Sequence, residues 1–419
     1  MDSNRRVVST TSELVDAVAS ATVRHILIDS DLADVPTLNL SPGQCIAGAE
    51  APVAVRFAKM QDGLMLSRDN EVNSLQLITD PERRAIFNRT DIDSLGRIAL
   101  GNLDITGVVQ ILARDKVREG HIEAHGIDIV AADARHFDDR PQGYGVGVVQ
   151  GAFTLWNQQT DPALALTADL TGLCAGRPGA PVRGSGIFVG GAGDVGGRVV
   201  VTRLETGAVY SDGGIARGTP DRISGGVFTV YGAVVDCVHN TGPVTTYGPN
   251  DKVLDNWGLV DRWVAEERIT SYGPSGIGFV NFGILTHLDV KAPIETFGQG
   301  ARGFNVYSGT LRLAEFERVV THADGAVGIQ ISQPVGRIVV RRGVETYGGA
   351  GDSLVKGVMM KLAATALSIK PGASVRVVEI DGGLLTHGDG VAPLEMHGAI
   401  DSLRISGSAA PLGGGFETL

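Results

Sequence analysis

The sequence predicts an all-β solenoid, a right-handed parallel β-helix, and three observations carry that prediction. The first is a fixed period: Thr246-Tyr247-Gly248, Ser271-Tyr272-Gly273, Thr296-Phe297-Gly298, Thr321-His322-Ala323 and Thr346-Tyr347-Gly348 recur every 25 residues. A repeat this short cannot bury its own apolar face, so it stacks on its neighbours as one turn of a solenoid. The second is alternation of apolar residues inside each period, as in Gly303-Phe304-Asn305-Val306-Tyr307 and Gly328-Ile329-Gln330-Ile331, which is a strand signal. The third is glycine, 58 of 419 residues, well above the usual share of roughly 7%. Glycine-rich clusters such as Gly298-Gln299-Gly300 and Gly348-Gly349-Ala350-Gly351 supply the positive φ angles of tight corners.

The elements follow in chain order. Thr10-Thr11-Ser12-Glu13 has capping-box spacing, and Leu14, Val15, Val18 and Ala19 recur at helical intervals. Residues 1–24 are therefore expected to form a capping helix, from Thr11 to about Thr22, over the first turn. His25-Ile26-Leu27-Ile28 opens the strands, and residues 25–405 read as one elongated domain, because a solenoid lengthens without thickening its core. Two stretches interrupt the texture and are expected as loop insertions, residues 136–159 and 173–182. Long loops on a rigid scaffold commonly wall a binding groove. Residues 406–419 are expected as a C-terminal tail.

The period, the V-x-T-x-G phrasing and the helical start resemble the pectin-lyase-like superfamily of right-handed β-helices. The longer phrase V-x-T-x-G-x-x-x-x-G-I is also similar to bacterial autotransporter passengers. The likeness is architectural, since no catalytic signature of a member is matched. It implies saccharide processing, and a homo-oligomer, a trimer, as assembly. In polysaccharide lyases of that superfamily a Lys or Arg abstracts the proton beside a uronate carboxylate and Asp residues hold calcium. The resemblance puts Lys252, Asp251 and Asp255 forward for those roles. In its polygalacturonase-like hydrolases aspartates act beside a His, for which His239 near Asp236 is the match. No three Asp or Glu show ligand spacing, so no metal and no cofactor is expected.

Lys+Arg 36 against Asp+Glu 47 gives a formal charge of −11 without any basic run, which argues against a nucleic-acid or anionic-membrane partner. Neither a charged-then-apolar leader nor an apolar stretch of about 18 residues is visible, so a cytoplasmic location without membrane contact is expected. Cys45, Cys174 and Cys237 are widely spaced and read as structural thiols.

Superposed periods yield two aromatic columns. Tyr247, Tyr272, Phe297, His322 and Tyr347 are expected to point outward, and Tyr231, Trp257, Phe282 and Tyr307 form a second column. Rings repeated at strand spacing either stack on sugar rings or stack on one another. Glu295 and Glu345 lie two turns apart, roughly 9.6 Å from the inter-strand spacing, which suits an inverting glycosidase pair. Glu123 and Glu205 occupy the same slot elsewhere, which speaks for a structural habit.

The segment Thr245 to Trp257 departs from the repeat: Asp251, Lys252, Val253 and Asp255 stand where the next turn carries Gly276, Ile277, Gly278 and Val280, and Asn250, Asn256 and Trp257 add two amides and a ring to the same segment. Asn256 with Asn281 also reads as two rungs of an asparagine ladder. The expected function is a carbohydrate-active enzyme, a glycosidase or transglycosidase, acting on an oligosaccharide or glycoside in a lateral groove. Asp255, Asp251, Glu295 and His239 are its candidate acids and bases. Tyr247, Trp257, Tyr272, Asn250, Lys252, Asn256, Asn281, Arg302 and Tyr307 are its candidate contacts to the saccharide. A polysaccharide lyase or epimerase is the alternative chemistry, and a non-catalytic glycan-binding or structural β-helix is the alternative class.

Overall fold

The computed structural model describes residues 4–49 and 53–413. The described residues are nearly all-β, with one helix and two long sheets of 25 and 15 strands built almost entirely by parallel pairing. Register follows the sequence period. On the longer sheet Val244 pairs with Ile269, Ile269 with Ile294, Ile294 with Val319 and Val319 with Val344. On the shorter sheet Lys252 pairs with Ile277, Ile277 with Arg302 and Arg302 with Val327. The next step is different, because Val344 pairs with Leu384. The extra residues form an antiparallel hairpin, Ala350–Val355 with Val358–Ala363.

The helix spans Thr11–Ala19, with Thr10 as N-cap. Thr10 Oγ1 accepts from Glu13 N–H at 3.2 Å, while the Glu13 carboxylate accepts from Thr10 N–H at 3.1 Å. Both halves of the capping box are therefore made, satisfying donors that the first turn leaves open. The helix buries Leu14, Ala17 and Val18. Ala17 takes the place expected of Ala19, which is exposed, and the i, i+3, i+4 spacing explains why. Near the other end, Ala409–Pro411 pairs in parallel with Leu384–Thr386, so strand pairing continues past residue 405. Among the described residues no helix is long and apolar enough to cross a membrane.

A continuous apolar core runs from Val8 to Leu384. One local feature of the shorter sheet positions the site. In the Asp251–Asn256 strand both Val253 and Leu254 belong to the core, so alternation is broken and Lys252 and Asp255 fall on the opposite face. The same break occurs at Gly278–Phe279, where a Cβ on Gly278 would sit 2.3 Å from Ile294 Cγ2. No side chain fits there, which is why the inward residue before the aromatic is glycine. The outer face thus carries one column of Lys252, Ile277 and Arg302, and another of Asp255, Val280, Asn305 and Gln330.

Candidate functional site

The outer face of a sheet normally meets water, yet Lys252, Asp255, Arg302, Asn305 and Gln330 are all buried. Two segments roof them. From the first, Tyr144 O–H donates to the Phe282 carbonyl at 3.2 Å, and its ring lies 5.0 Å from Trp257 and 4.5 Å from Phe282. Tyr231 O–H donates to the Gln142 carbonyl at 2.5 Å and ties the same segment down. The second roof is the hairpin: Leu354 N–H donates to Ser275 Oγ at 3.0 Å, and Ser353 Oγ donates to the Gly300 carbonyl at 2.7 Å. Between the roofs lies a cavity of about 130 Å³ walled by Tyr144, Ile223, Phe282, Tyr307 and Leu354, with Asn250, Lys252 and Lys356 as polar groups.

Lys252 Nζ donates to Asn250 Oδ1 at 2.8 Å and to the Ser275 carbonyl at 3.3 Å. Burial pulls its pKa down to about 7, against the opposing pull of Asp255, and nearby Arg302 lowers it further. Burial also pushes the Asp255 carboxyl well above the usual range, although Lys252 works against the shift. Burial thus disfavours the charged form of both groups. Asp255 and Trp257 Nε1 make no hydrogen bond of full geometry, although the indole lies close enough to the carboxyl to lower its pKa, and Arg302 Nη2 and both amide atoms of Asn305 lack partners altogether. Buried orphans are rare and costly, and their concentration on one face marks this region. Asp255 does not line the cavity; it lies within electrostatic reach of Lys252 and Tyr144.

Asp251 is the first residue of this strand, accepting from Ser224 Oγ and from the N–H groups of Gly248 at 2.8 Å and Gly213 at 3.2 Å. Burial raises it to about 6 despite those bonds. Asn256 and Asn281 belong to the interior: Asn256 Nδ2 donates to Asn281 Oδ1 at 2.8 Å, and Thr229 Oγ1 donates to Asn256 Oδ1 at 2.9 Å. They satisfy one another and the corner backbone, as an asparagine ladder does.

The other predicted residues gather on the longer sheet and its corners. Ring centroids are 5.4 Å apart for Tyr247 and Tyr272, 5.1 Å for Tyr272 and Phe297, and 4.4 Å for Phe297 and His322, all near-parallel. Tyr347 and His387 continue the column. Faces are covered by neighbouring rings, leaving mainly edges to solvent. Glu295 is paired with Arg268 at 2.9 Å and His322 at 2.8 Å. Glu345 is paired with Arg318, and with His387 at 2.8 Å. His239 lies 3.1 Å from Glu266 and 3.8 Å from Glu205. The structure thus brings Asn250, Lys252, Asp255, Trp257, Arg302 and Tyr307 together. It does not bring Glu295, His239, Tyr247 or Tyr272 to them.

Sequence reasoning missed the hairpin wall. Its signal was the step from Thr346-Tyr347-Gly348 to Thr386-His387-Gly388, 40 residues where the period is 25. It also left Tyr144 unassigned within the first loop. Among the described residues, no three of His, Cys, Asp and Glu converge as a metal site would require. Comparison with protein-family models, curated proteins and solved structures returns no match for this chain.

Proposed function

We propose that this chain is a saccharide-processing enzyme whose two parallel sheets close into a right-handed β-helix with turns of about 25 residues, of the pectin-lyase-like type. Lys252 is its proton acceptor. The observation that carries this reading is a lysine buried in a walled cavity, with an amine lowered to about 7 beside an uncharged-leaning Asp255. A base poised near the working pH is what proton abstraction requires. Tyr144, Phe282 and Tyr307 offer rings to the C–H faces of a sugar, and Asn250 offers an amide to its hydroxyls.

The chemistry favoured is removal of a proton beside a carboxylate. Loss of the neighbouring glycosidic oxygen then gives an unsaturated sugar, and return of the proton to the opposite face gives an epimer. Asp255 is a positioning residue that sets the charge of Lys252. A two-carboxylate hydrolysis is less well served. Asp251 and Asp255 are four residues apart on one strand, roughly 13 Å, beyond the roughly 6.5–9.5 Å of an inverting pair. The cavity of about 130 Å³ is smaller than the roughly 300–1,000 Å³ of sites for drug-sized ligands, which points to a chain end or a single sugar unit. Incubation with neutral and uronate-containing oligosaccharides, followed by mass spectrometry, tests the reading. An unsaturated or epimerised uronate supports it, and an unchanged panel, checked by solvent deuterium exchange, removes it.

A further inference from the structure

The protein carries a second cavity, of about 520 Å³, lined among others by Arg135, His136, Arg140, Gly214 and Arg222. Its acidic lining residues are Glu82 and Asp133. Asp133 is already engaged: Arg135 forks onto it, with Nε donating at 2.8 Å and Nη2 at 2.5 Å. Arg183, bridged to Asp133 through the backbone, is paired through Nη1 with Asp212. Arg140 and Arg222 make no ion pair among the described residues. The one side-chain bond of Arg140 runs from Nη2 to the Arg135 carbonyl at 3.0 Å, and its Nε is buried without a partner.

The floor of this cavity is rigid. Gly213 N–H donates to Asp251 Oδ2 at 3.2 Å and Gly214 N–H to Asp212 Oδ1 at 2.8 Å. Gly214 adopts φ +61°, and a Cβ there would meet Arg135 Nη1 at 2.6 Å, so the backbone closes directly against a guanidinium. Arginine stays charged at every accessible pH; with Asp133 offsetting Arg135, the Arg140 and Arg222 guanidiniums face only Glu82 among the acids of the cavity, an excess of positive charge that a bound anion relieves. On a chain of net charge −11 such a pocket is an exception. The site is also connected to the first cavity: the Arg222 carbonyl accepts from Asn250 Nδ2 at 2.8 Å, and Ile223, the next residue, lines the cavity that holds Lys252.

We propose that this cavity is an oxyanion site for a small acidic ligand, with Arg140 and Arg222 as its contacts and Arg135 held beside them by Asp133. Planar guanidiniums match carboxylate and phosphate oxygens in forked geometry, which sets the ligand class. The proposal is independent of the reading of Lys252.

Titration calorimetry of the full chain with inorganic phosphate and with glucuronate tests it. Saturable binding of phosphate identifies a phosphorylated ligand, and saturable binding of glucuronate identifies an acidic sugar. In either case Arg222→Ala and Arg140→Ala each weaken binding by about tenfold or more, the loss of one charge-assisted contact, and added salt weakens it further. Arg222 is exposed, so if Arg140→Ala does not fold, Arg222→Ala alone decides. Lys252→Met retains anion binding, which separates this site from the proposed base. Absence of saturable binding by both probes, or equal binding by wild type and Arg222→Ala, overturns the proposal.

Discussion

Lys252 Nζ donates to Asn250 Oδ1 at 2.8 Å with both side chains buried. Asn250 is held in turn by the Arg222 carbonyl, also at 2.8 Å. The amine is thus oriented by neutral acceptors, and burial is what draws its pKa down against the pull of Asp255. Lys252→Met is expected to lower kcat by about 10²- to 10⁴-fold, the usual share of a general base, with KM little changed. Steady-state kinetics on the substrate found in the product screen checks this.

Turnover is expected to rise with pH through an inflection near 7, where the Lys252 amine loses its proton. A pH–kcat/KM profile reads this directly. An activity that falls as pH rises through the same range would mean that protonated Lys252 is the working form.

Stability carries the opposite signs of the two buried groups. The Lys252 pKa is lowered from 10.5 to about 7 on folding, so its contribution is full above 10.5 and is lost as pH falls through 7. The Asp251 pKa is raised from 3.8 to about 6, so its contribution is full below 3.8 and is lost as pH rises through 6. Lys252→Met is expected to flatten the decline between pH 10 and 7 and to raise the denaturation midpoint at pH 7. Guanidinium melts at several pH values measure both.

Asp255→Asn keeps the shape of a carboxyl that burial already holds toward its neutral form. It is expected to leave the melting temperature unchanged or higher while moving the inflection to lower pH, because the carboxylate form of Asp255, which raises the Lys252 pKa, is no longer available. A purely structural role would leave the inflection in place.

The ring column is expected to matter for stability alone. Phe297 stacks between Tyr272 and His322 at 5.1 and 4.4 Å, and Phe297→Ala removes two such contacts at about 0.5–1.5 kcal/mol each. Asn281→Ala leaves Asn256 Nδ2 short of its acceptor, at a cost of about 1–3 kcal/mol. Chemical denaturation gives both values, and turnover at a temperature where each variant is folded is expected to match wild type.

Much of this was legible in the chain because a constant period fixes register: residues spaced by 25 pair, as Val244 and Ile269 do. The break in pattern at Asn250 to Trp257 was equally visible, since Lys252 and Asp255 stand where the next turn carries Ile277 and Val280. The roof was not. Tyr144 reaches Trp257 and Phe282 across more than a hundred residues of sequence, and no local pattern encodes such a contact. Burial of the outer face followed from the same long-range contacts, and so did the pKa shifts. The two inward residues at Val253–Leu254 also defeat simple alternation, because a strand of this sheet turns two successive side chains to the core. Glu295 and Glu345 illustrate the opposite case, since their recurrence in the slot of Glu123 and Glu205 already spoke for a structural habit, and the structure shows it as ion pairs to Arg268, His322, Arg318 and His387.

The most direct test of a proton-abstracting Lys252 is to follow conjugated-uronate absorbance and product mass together, for wild type and Lys252→Met, on uronate-containing oligosaccharides. An unsaturated or inverted uronate formed by wild type and lost in the variant is the predicted result. Products that gain water at equal rates in both proteins would contradict it.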